Sequence, residues 1–441
     1  MKKTVLIIYS NMFDVSALAL KSYLKEDGKY NVICVSEKDY DSFHVLKNFM
    51  RAYKYSYRHN CFFNNLITNF PSAEVERKKD SDGNEVNFKP TSEIFARYKK
   101  LENICMRYDC EYVICTSQFG IKRAVLAREK YGLSGKIFAL LTDFDLQHNF
   151  INKYLDGYFV ITKKTKEELV ERGIDADNIF LINMPVERME VVENQKNYTK
   201  KSKKDFSESD KTEDKDIEVE IVSTKEEIKS KYNIRNELPV ITIIGGRYGS
   251  KYTYNALKDV AEFKDCNILV ITNGNKSIYR KFIRWSKKNQ CTPNIYFADN
   301  VKGLDEVYRI TDYLITAPTS TICFEAIMRN IPLILMDSVN NVETKNSKFL
   351  VSNGFAYSGI SNERIKTAMA GYLKDLKGWK EHCENYFSNN GCEKFLKILD
   401  LLDSGVNPNK EVVEEIDETE DEPEIKIETQ EKKSKWRKRN G

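Results

Sequence analysis

Residues 313–326 read YLITAPTSTICFEA, and this stretch decides the fold of the second half of the chain. The apolar run that ends at Thr316 predicts a buried strand, Pro318 marks a turn, and Thr319 begins a row of hydroxyl residues that can cap a helix. A strand joined to a helix by a short turn is typical of a parallel α/β sheet. Because such sheets bind ligands at the carboxyl ends of their strands, we expect a ligand near this helix start.

The same pattern of strand and helix extends in both directions along the chain. Further apolar runs predict strands at 4–8, 31–35, 111–115, 136–141, 157–161 and 179–182 in the first half, and at 240–244, 267–272, 294–297, 313–316 and 332–336 in the second. Strands that alternate with helical segments indicate parallel sheets covered by helices. The predicted fold class is therefore α/β, with two Rossmann-like parallel-sheet domains facing each other across a cleft.

The chain has 441 residues, which is more than a single hydrophobic core usually serves. Its composition changes sharply at two places. Residues 191–223 are charged with few apolar side chains, and residues 404–441 are first acidic and then basic. We therefore predict an N-terminal domain at 1–190, a disordered linker at 191–223, a C-terminal domain at 224–403 and a disordered tail at 404–441.

The overall composition excludes several classes of protein. The 70 basic and 66 acidic residues give a net charge of +4, which is too balanced for a dedicated nucleic-acid binder. No apolar run approaches the roughly 20 residues that a membrane-spanning helix needs. The 10 cysteines form no C-x-x-C pair, which favours reduced thiols in a cytoplasmic protein over a disulfide scaffold or a zinc site.

Three polar segments follow predicted strands of the second half. Gly245 and Gly246 could let a phosphate approach the backbone, although a tight turn is the simpler explanation of a glycine pair. Glu325 lies one turn inside a predicted helix, where it could bind a ribose diol or only complement the helix dipole. Glu343 and Asn346 share one helix face, as either a binding site or a solvated helix start.

In their order and spacing, these motifs resemble the diacylglycerol glycosyltransferases related to monogalactosyldiacylglycerol synthase. A more distant resemblance is to the UDP-N-acetylglucosamine transferase of peptidoglycan synthesis. The resemblance covers residues 1–190 and about 224–400, and the segments that carry it are Thr142–Asp145, Asp156–Val160, Met184–Val186, Gly245–Gly246, Asn273–Asn275, Phe297–Asn300, Asp312–Thr316, Pro318, Glu325–Ala326, Ile331–Leu335, Glu343 and Asn346. This family has the GT-B fold, which consists of two Rossmann-like domains.

The resemblance implies a UDP-sugar donor in the C-terminal domain, with no metal and no other cofactor. Uracil would lie beside Phe297 and Ala298, phosphate would lie at the helix start, Glu325 would bind the ribose, and Glu343 would orient the sugar. The full set of implied donor-binding residues is Gly245, Gly246, Phe297, Ala298, Thr319, Ser320, Thr321, Glu325, Glu343 and Asn346.

The chain departs from the family where the acceptor hydroxyl would be activated. Phe13, Ser117 and Gln147 stand where the family has histidines. An inverting transfer still needs a base near the acceptor hydroxyl. A carboxylate can serve where burial raises its pKa. The predicted catalytic residues are Asp14, Asp143 and Asp145, although each of them could instead cap a turn.

Residues 51–63 read RAYKYSYRHNCFF, in which basic and aromatic side chains are interleaved. This mixture suits a membrane surface, with rings at headgroup level and cations near phosphates. The predicted membrane-docking residues are Arg51, Tyr53, Lys54, Tyr55, Arg58, Phe62 and Phe63. The alternative is an amphipathic helix packed on its own domain with its cations in solvent.

The sequence therefore predicts an inverting, metal-independent glycosyltransferase that passes a hexose from a UDP-sugar to a diacylglycerol-type lipid. Its expected partners are the UDP-sugar, the lipid acceptor and an anionic membrane surface, with no nucleic acid. Its expected location is peripheral, on the cytoplasmic face of the cell membrane. The replaced histidines leave an alternative open, namely a catalytically inactive GT-B relative that binds a nucleotide-sugar or a protein partner.

Overall fold

A computed structural model describes residues 2–10, 14–36, 43–59, 101–186 and 224–411, apart from 102, 105, 106, 235, 236, 247, 248, 290–293, 300, 302, 360 and 389. The predicted linker at 191–223, the tail beyond residue 411 and the predicted docking residues Phe62 and Phe63 lie outside these residues. Phe13 also lies outside them, and only the backbone of Asp14 is described.

The first domain is built on a six-stranded parallel sheet with the strand order β2-β1-β3-β4-β5-β6. Its strands are β1 (Thr4–Tyr9), β2 (Asn31–Ser36), β3 (Cys110–Cys115), β4 (Lys136–Leu141), β5 (Gly157–Val160) and β6 (Ile179–Leu181). Its helices are α1 (Asp14–Asp27), α2 (Phe43–His59), α3 (Gln118–Tyr131) and α4 (Lys163–Glu171). The central strands have both faces covered, and this is why they appear in the sequence as continuous apolar runs.

The second domain is built on another six-stranded parallel sheet, with the order β12-β11-β10-β7-β8-β9. Its strands are β7 (Val240–Ile244), β8 (Asn267–Ile271), β9 (Ile295–Ala298), β10 (Tyr313–Thr316), β11 (Leu333–Leu335) and β12 (Ala356–Ser358). The helices that follow the first domain are α5 (Lys225–Lys231), α6 (Thr253–Val260), α7 (Lys276–Asn289), α8 (Asp305–Arg309), α9 (Ser320–Met328), α10 (Asn341–Ser352), α11 (Asn362–Lys374), α12 (Leu376–Tyr386), α13 (Gly391–Asp403) and α14 (Pro408–Glu411).

The predicted fold class is confirmed by these two sheets and their covering helices. Every predicted strand is present, and each end lies within one residue of its predicted position. The sequence did not predict β12, since this edge strand has only three residues, of which Tyr357 and Ser358 are exposed. A strand with so little buried surface leaves no apolar run to recognise.

The predicted boundary of the second domain at residue 403 is wrong, because α13 returns to the first domain. Phe395 of α13 packs on Phe159 of β5, with 4.5 Å between the ring centroids. Asp403, at the end of α13, forms an ion pair with Lys3 at 2.7 Å. The segment 404–411, predicted as part of a disordered tail, contains α14. The second domain is therefore held to the first by a C-terminal helix that fills part of the first domain's core.

Candidate active site

The two sheets meet through the segments that follow their central strands. Residues 143–147 follow β4 of the first domain, and they contact the start of α9 and the first turns of α10 in the second domain. This arrangement agrees with the expectation that ligands of parallel sheets bind at the carboxyl ends of strands. Two of the predicted donor residues, Ser320 and Asn346, thus lie beside the predicted catalytic residue Asp143.

The start of α9 is the element that most resembles an anion site. Thr319 is the N-cap residue and has an extended backbone, but its side chain makes no capping hydrogen bond. Its Oγ1 atom is buried and has no hydrogen-bond partner among the residues that the structure describes. The next residue, Ser320, hydrogen-bonds through its side chain to Asp143 of the first domain. Helix α9 has nine residues, and its first backbone N–H groups have no partner within the helix. Such a helix start, with the Thr319 hydroxyl beside it, is suited to bind an anionic oxygen.

The glycine pair after β7 lies directly beside this helix start. Gly246 has a φ of +67°, and a Cβ atom there would lie 3.2 Å from Cγ2 of Thr319 and 2.5 Å from the hydroxyl of Tyr57. A Cβ atom at Gly245 would lie 1.9 Å from Oγ1 of Thr253. Both positions therefore require glycine for steric reasons. Tyr57 of α2 fills the space between the glycine loop and α9, which is the space predicted for the donor.

Glu343 is a buried carboxyl group on the first turn of α10. It is 3% exposed, and its two oxygens accept hydrogen bonds from the Tyr57 hydroxyl at 2.6 Å and from the backbone N–H of Val339 at 2.7 Å. Burial raises the pKa of Glu343 to about 7, against the opposing effect of these two hydrogen bonds. The group is therefore able to change its charge near neutral pH.

Asn346 joins three segments of the two domains. Its Oδ1 accepts a hydrogen bond from the backbone N–H of Phe144 at 3.1 Å. Its Nδ2 donates to Oδ1 of Asp143 at 3.1 Å and to the backbone oxygen of Pro318 at 3.3 Å. Because the residue is 1% exposed, each of these bonds is protected from water. Asn346 was predicted to bind the donor, but in this structure it mainly fixes how the domains meet.

Asp143 and Asp145 lie close together but have different environments. Burial raises the pKa of Asp143, although the hydrogen bonds from Asn346, Ser320 and Gln147 oppose this. Gln147 donates its hydrogen bond to Oδ2 of Asp143. The sequence did not predict this contact, because a glutamine side chain does not ionise and was not considered as a catalytic residue.

Asp145 is held by two lysines, one from each domain. Lys345 of α10 donates to Oδ1 of Asp145 at 2.6 Å, and Lys164 of α4 donates to Oδ2. Burial raises the pKa of Asp145, but the hydrogen bonds and charges of the two lysines outweigh it, so the net effect is a lowered pKa. Two neighbouring carboxyl groups whose pKa values are moved apart are a common arrangement for acid–base chemistry. Asp143 is the better candidate for a base, and Asp145 for an interdomain ion pair.

The remaining predicted donor residues lie further along the second domain. Glu325 is half-buried on α9 and accepts a hydrogen bond from the Tyr308 hydroxyl at 3.0 Å. Phe297 is half-buried near the end of β9, and its ring lies 5.0 Å from that of Tyr279. Ala298 and Thr321 are half-buried as well. Tyr308 and Tyr279, the partners named here, belong to the second domain itself.

The predicted docking helix α2 is divided between solvent and the second domain. Tyr55 is 67% exposed and Arg51 is exposed, as the prediction requires. Tyr53, however, is only 7% exposed, and it packs with Tyr57 and Val339. The prediction that Tyr53 contacts a membrane is therefore wrong for this arrangement. Positions 53 and 57 are four residues apart and form an aromatic face that packs on the second domain instead.

Two further docking residues, Lys54 and Arg58, are half-buried on α2. Arg58 donates a hydrogen bond to the backbone oxygen of Asn273 at 2.9 Å, so it faces the second domain as well. In the part of the chain that the structure describes, no helix is long and apolar enough to cross a membrane. Among the same residues, no group of three or more His, Cys, Asp or Glu side chains could hold a metal ion.

The two-domain architecture is the GT-B fold, and comparison with known proteins agrees with it. Residues 14–186 match the family model of monogalactosyldiacylglycerol (MGDG) synthase. The resemblance inferred from the sequence motifs is therefore confirmed over the first domain. A processive diacylglycerol β-glucosyltransferase of Bacillus cytotoxicus is 24% identical over 233 residues, which are 52% of this chain and 51% of the relative. An enzyme of the same name from Bacillus licheniformis is 22% identical over 65% of this chain and 67% of its own.

Solved structures with the same architecture include several sugar-nucleotide proteins. A glycosyltransferase of Rickettsia africae has a TM-score of 0.53 at 15% identity, with 90% of this chain and 97% of that chain covered. A UDP-GlcNAc 2-epimerase of Neisseria meningitidis, bound to UDP-GlcNAc, has a TM-score of 0.55 at 11% identity, with 91% and 100% covered. MurG of Acinetobacter baumannii has a TM-score of 0.51 at 11% identity, with 91% and 99% covered. At these identities the similarity establishes the fold alone.

Proposed function

We propose that this protein is a peripheral membrane glycosyltransferase that transfers a hexose from a UDP-sugar to the hydroxyl of a diacylglycerol-type lipid. The observation that carries the proposal is the start of α9, where the buried Oγ1 of Thr319 bonds to no described residue. This helix start lies against Gly246 where the two domains meet. The names of the Bacillus relatives support the lipid acceptor. The UDP-GlcNAc bound by the structurally similar Neisseria epimerase supports the nucleotide class of the donor.

On the donor side, the pyrophosphate would lie at the start of α9. Backbone N–H groups and the Thr319 hydroxyl would donate to its oxygens, and the helix dipole would stabilise the negative charge of the departing UDP without a metal ion. Glu325 would accept hydrogen bonds from the ribose diol and Glu343 would orient the hexose. Phe297 would border the uracil.

On the acceptor side, Asp143 would act as the general base. The lipid hydroxyl oxygen attacks the anomeric carbon of the hexose, and its proton passes to the Asp143 carboxylate. The bond between the anomeric carbon and the β-phosphate oxygen breaks, and UDP leaves with both electrons of that bond. Attack from the face opposite UDP inverts the anomeric configuration. The raised pKa of Asp143 favours this role, since a base must hold the proton that it takes up.

Donor entry requires Tyr57 to leave its present position. Its hydroxyl lies 2.5 Å from where a Cβ atom of Gly246 would be and bonds to Glu343, so it occupies the space assigned to the sugar and phosphates. Because Tyr57 is carried by α2, a shift of this helix would open the site. The described arrangement therefore represents a closed state of the proposed enzyme.

The proposal is tested by incubating the purified full-length chain with labelled UDP-glucose or UDP-galactose and with dioleoylglycerol in mixed micelles. We expect a labelled glycolipid, and we expect Asp143→Asn to lower its rate of formation by at least 100-fold while UDP still binds. Asp145→Asn is the matched control, since it alters the neighbouring carboxylate and should reduce turnover much less. Absence of glycolipid with either donor would contradict the proposal.

A second candidate function is favoured by Tyr57 and Gln147. A closed donor space and a glutamine in place of a family histidine suit a protein that keeps the GT-B fold only to bind a nucleotide-sugar or a partner protein. The two candidates differ in one measurement. A UDP-dependent rise in melting temperature without any glycolipid product would favour the binding protein over the enzyme.

A further inference from the structure

Helix α7 (Lys276–Asn289) carries the densest positive charge in the described second domain. Its sequence KSIYRKFIRWSKKN contains basic residues and no acidic residue. The basic residues, all of which are exposed, are Lys276, Arg280, Lys281, Arg284, Lys287 and Lys288. The side of the helix that packs on its own domain is formed by Ile278 and Phe282. Six cations on one 14-residue helix stand out against a net charge of +4 for the whole chain.

None of these six side chains takes part in an ion pair with a described acidic residue. Arg284 donates to the backbone oxygen of Arg280 at 3.3 Å, which leaves its charge uncompensated. Other basic residues of this domain are paired, as Lys231 is with Glu306 and Arg329 is with Asp305. A concentrated and uncompensated set of charges favours association with a surface of opposite charge.

Two aromatic residues flank the charged face. Tyr279 is 47% exposed and contacts Phe297 edge-on at 5.0 Å between the ring centroids. Trp285 is half-buried beside Phe282, at 5.5 Å. Rings with one apolar side and one polar edge are suited to the headgroup region of a bilayer. Because the apolar side of α7 is already packed within the domain, the helix can adsorb on a bilayer but not insert deeply.

Helix α7 also adjoins the exposed part of α2. Arg58, near the end of α2, donates its 2.9 Å hydrogen bond to Asn273, which lies three residues before Lys276. The exposed Arg51 and Tyr55 lie on α2 as well. The start of α7 thus lies close to the end of α2, the helix predicted to meet a membrane.

We propose that the exposed face of α7 docks the second domain on an anionic phospholipid surface. This inference rests on the proposed lipid-modifying function for its choice of partner, since a membrane is where such an acceptor is found. The second domain would then lie on the membrane on the same side as α2, with the site between the domains next to the bilayer. Each basic residue near an anionic surface strengthens binding by about fivefold, so three of them account for roughly 100-fold.

The test measures binding of the full-length chain to sedimented vesicles of phosphatidylglycerol and phosphatidylcholine in equal amounts. The variant Arg280→Gln, Arg284→Gln, Lys287→Gln should bind roughly 100-fold more weakly than the unchanged chain. The control Lys225→Gln, Lys374→Gln, Lys377→Gln removes three exposed cations elsewhere in the second domain and should bind as the unchanged chain does. Binding by the unchanged chain should also weaken steeply with added salt.

Equal vesicle binding by the α7 variant and the control variant would overturn the inference. So would a loss of binding to double-stranded DNA in the α7 variant with vesicle binding intact, because the surface would then serve a nucleic acid. Glycolipid formation in neutral mixed micelles is measured in parallel and should be unchanged in the α7 variant. If the unchanged chain makes no glycolipid but the α7 variant still loses vesicle binding, the proposed enzymatic activity is refuted. The proposed docking surface is then supported independently.

Discussion

The hydroxyl of Tyr57 donates a 2.6 Å hydrogen bond to Oε1 of Glu343, and this bond joins α2 of the first domain to α10 of the second. Both side chains are buried, at 3% exposure each. The bond lowers the pKa of Glu343, but burial of the carboxyl group outweighs it. The junction between the domains thus contains a group that is partly neutral near pH 7, and its protonation affects how tightly the domains are held.

The first prediction concerns the pH dependence of stability. The pKa of Glu343 is about 7 in the folded chain against an ordinary value of 4.5, so the folded state binds more protons between these values. The free energy of unfolding therefore falls as pH rises from about 4.5 to 7, by roughly 3 kcal/mol from this group. In Glu343→Gln, which stays neutral, urea unfolding at pH 5, 6, 7 and 8 should show a flatter pH dependence.

The control for this experiment is Glu381→Gln, which removes an exposed carboxylate on α12 that pairs with Lys377. Asp143 contributes with the same sign, because its pKa is raised too, so some pH dependence will persist in Glu343→Gln. An unfolding free energy that depends on pH as strongly in Glu343→Gln as in the unchanged chain would contradict the role assigned to Glu343.

The second prediction uses two glycines with similar backbones and different surroundings. Gly246 and Gly132 have φ angles of +67° and +71°, but a Cβ atom at Gly132 would meet nothing within 4 Å. Gly132→Ala should cost only the backbone strain, about 1 kcal/mol. Gly246→Ala should cost a further 1–3 kcal/mol or so, because the new methyl group displaces the Tyr57 hydroxyl. Thermal unfolding of both variants provides the comparison.

Combining Tyr57→Phe with each of the two glycine variants isolates the contact between residues 57 and 246. Without its hydroxyl, residue 57 should tolerate Gly246→Ala better, so the two changes together should cost less than the sum of their separate costs. The same addition to Gly132→Ala should be additive. Additivity in both pairs would show that Tyr57 does not fill the space beside Gly246.

The third prediction concerns Asn346. The change Asn346→Asp places a carboxylate against Asp143 and removes the hydrogen bond that Nδ2 donates to it. We expect the domains to separate more readily, with faster cleavage by trypsin between them and a loss of roughly 3 kcal/mol in stability at pH 8. The loss should shrink at pH 5, where one carboxyl group can take up a proton.

Asn353→Asp is the matched control, because Asn353 ends the same helix and donates to Phe349 within its own domain. It should change neither the cleavage pattern nor its pH dependence. Equal effects of the two variants would mean that Asn346 acts on α10 alone and not on the junction between the domains.

The sequence predicted the sheets well and the junction between them poorly, for a physical reason. Strands such as β7 are buried on both faces, so their burial appears directly in the sequence as an apolar run. Tyr57 and Lys345 owe their roles to distant partners, since Glu343 lies 286 residues from Tyr57 and Asp145 lies 200 residues from Lys345 along the chain. Nothing in the local pattern identifies such partners. The sequence left open an amphipathic helix packed on its own domain, but it did not indicate that Tyr53 and Tyr57 pack on the second domain.

The last prediction separates the two roles that the sequence left open for Glu325. If its carboxylate binds the ribose hydroxyls, Glu325→Ala should weaken UDP binding by about 1–3 kcal/mol in isothermal titration calorimetry, because the hydroxyl groups lose a charged partner. Tyr308→Phe removes the bond that Glu325 accepts but keeps the carboxylate, so it should weaken UDP binding much less. If Glu325 only complements the dipole of α9, both variants should lose stability and neither should lose affinity for UDP. A loss of UDP affinity in Glu325→Ala alone would thus place the ribose at Glu325, whereas a loss of stability in both variants without a loss of affinity would exclude it.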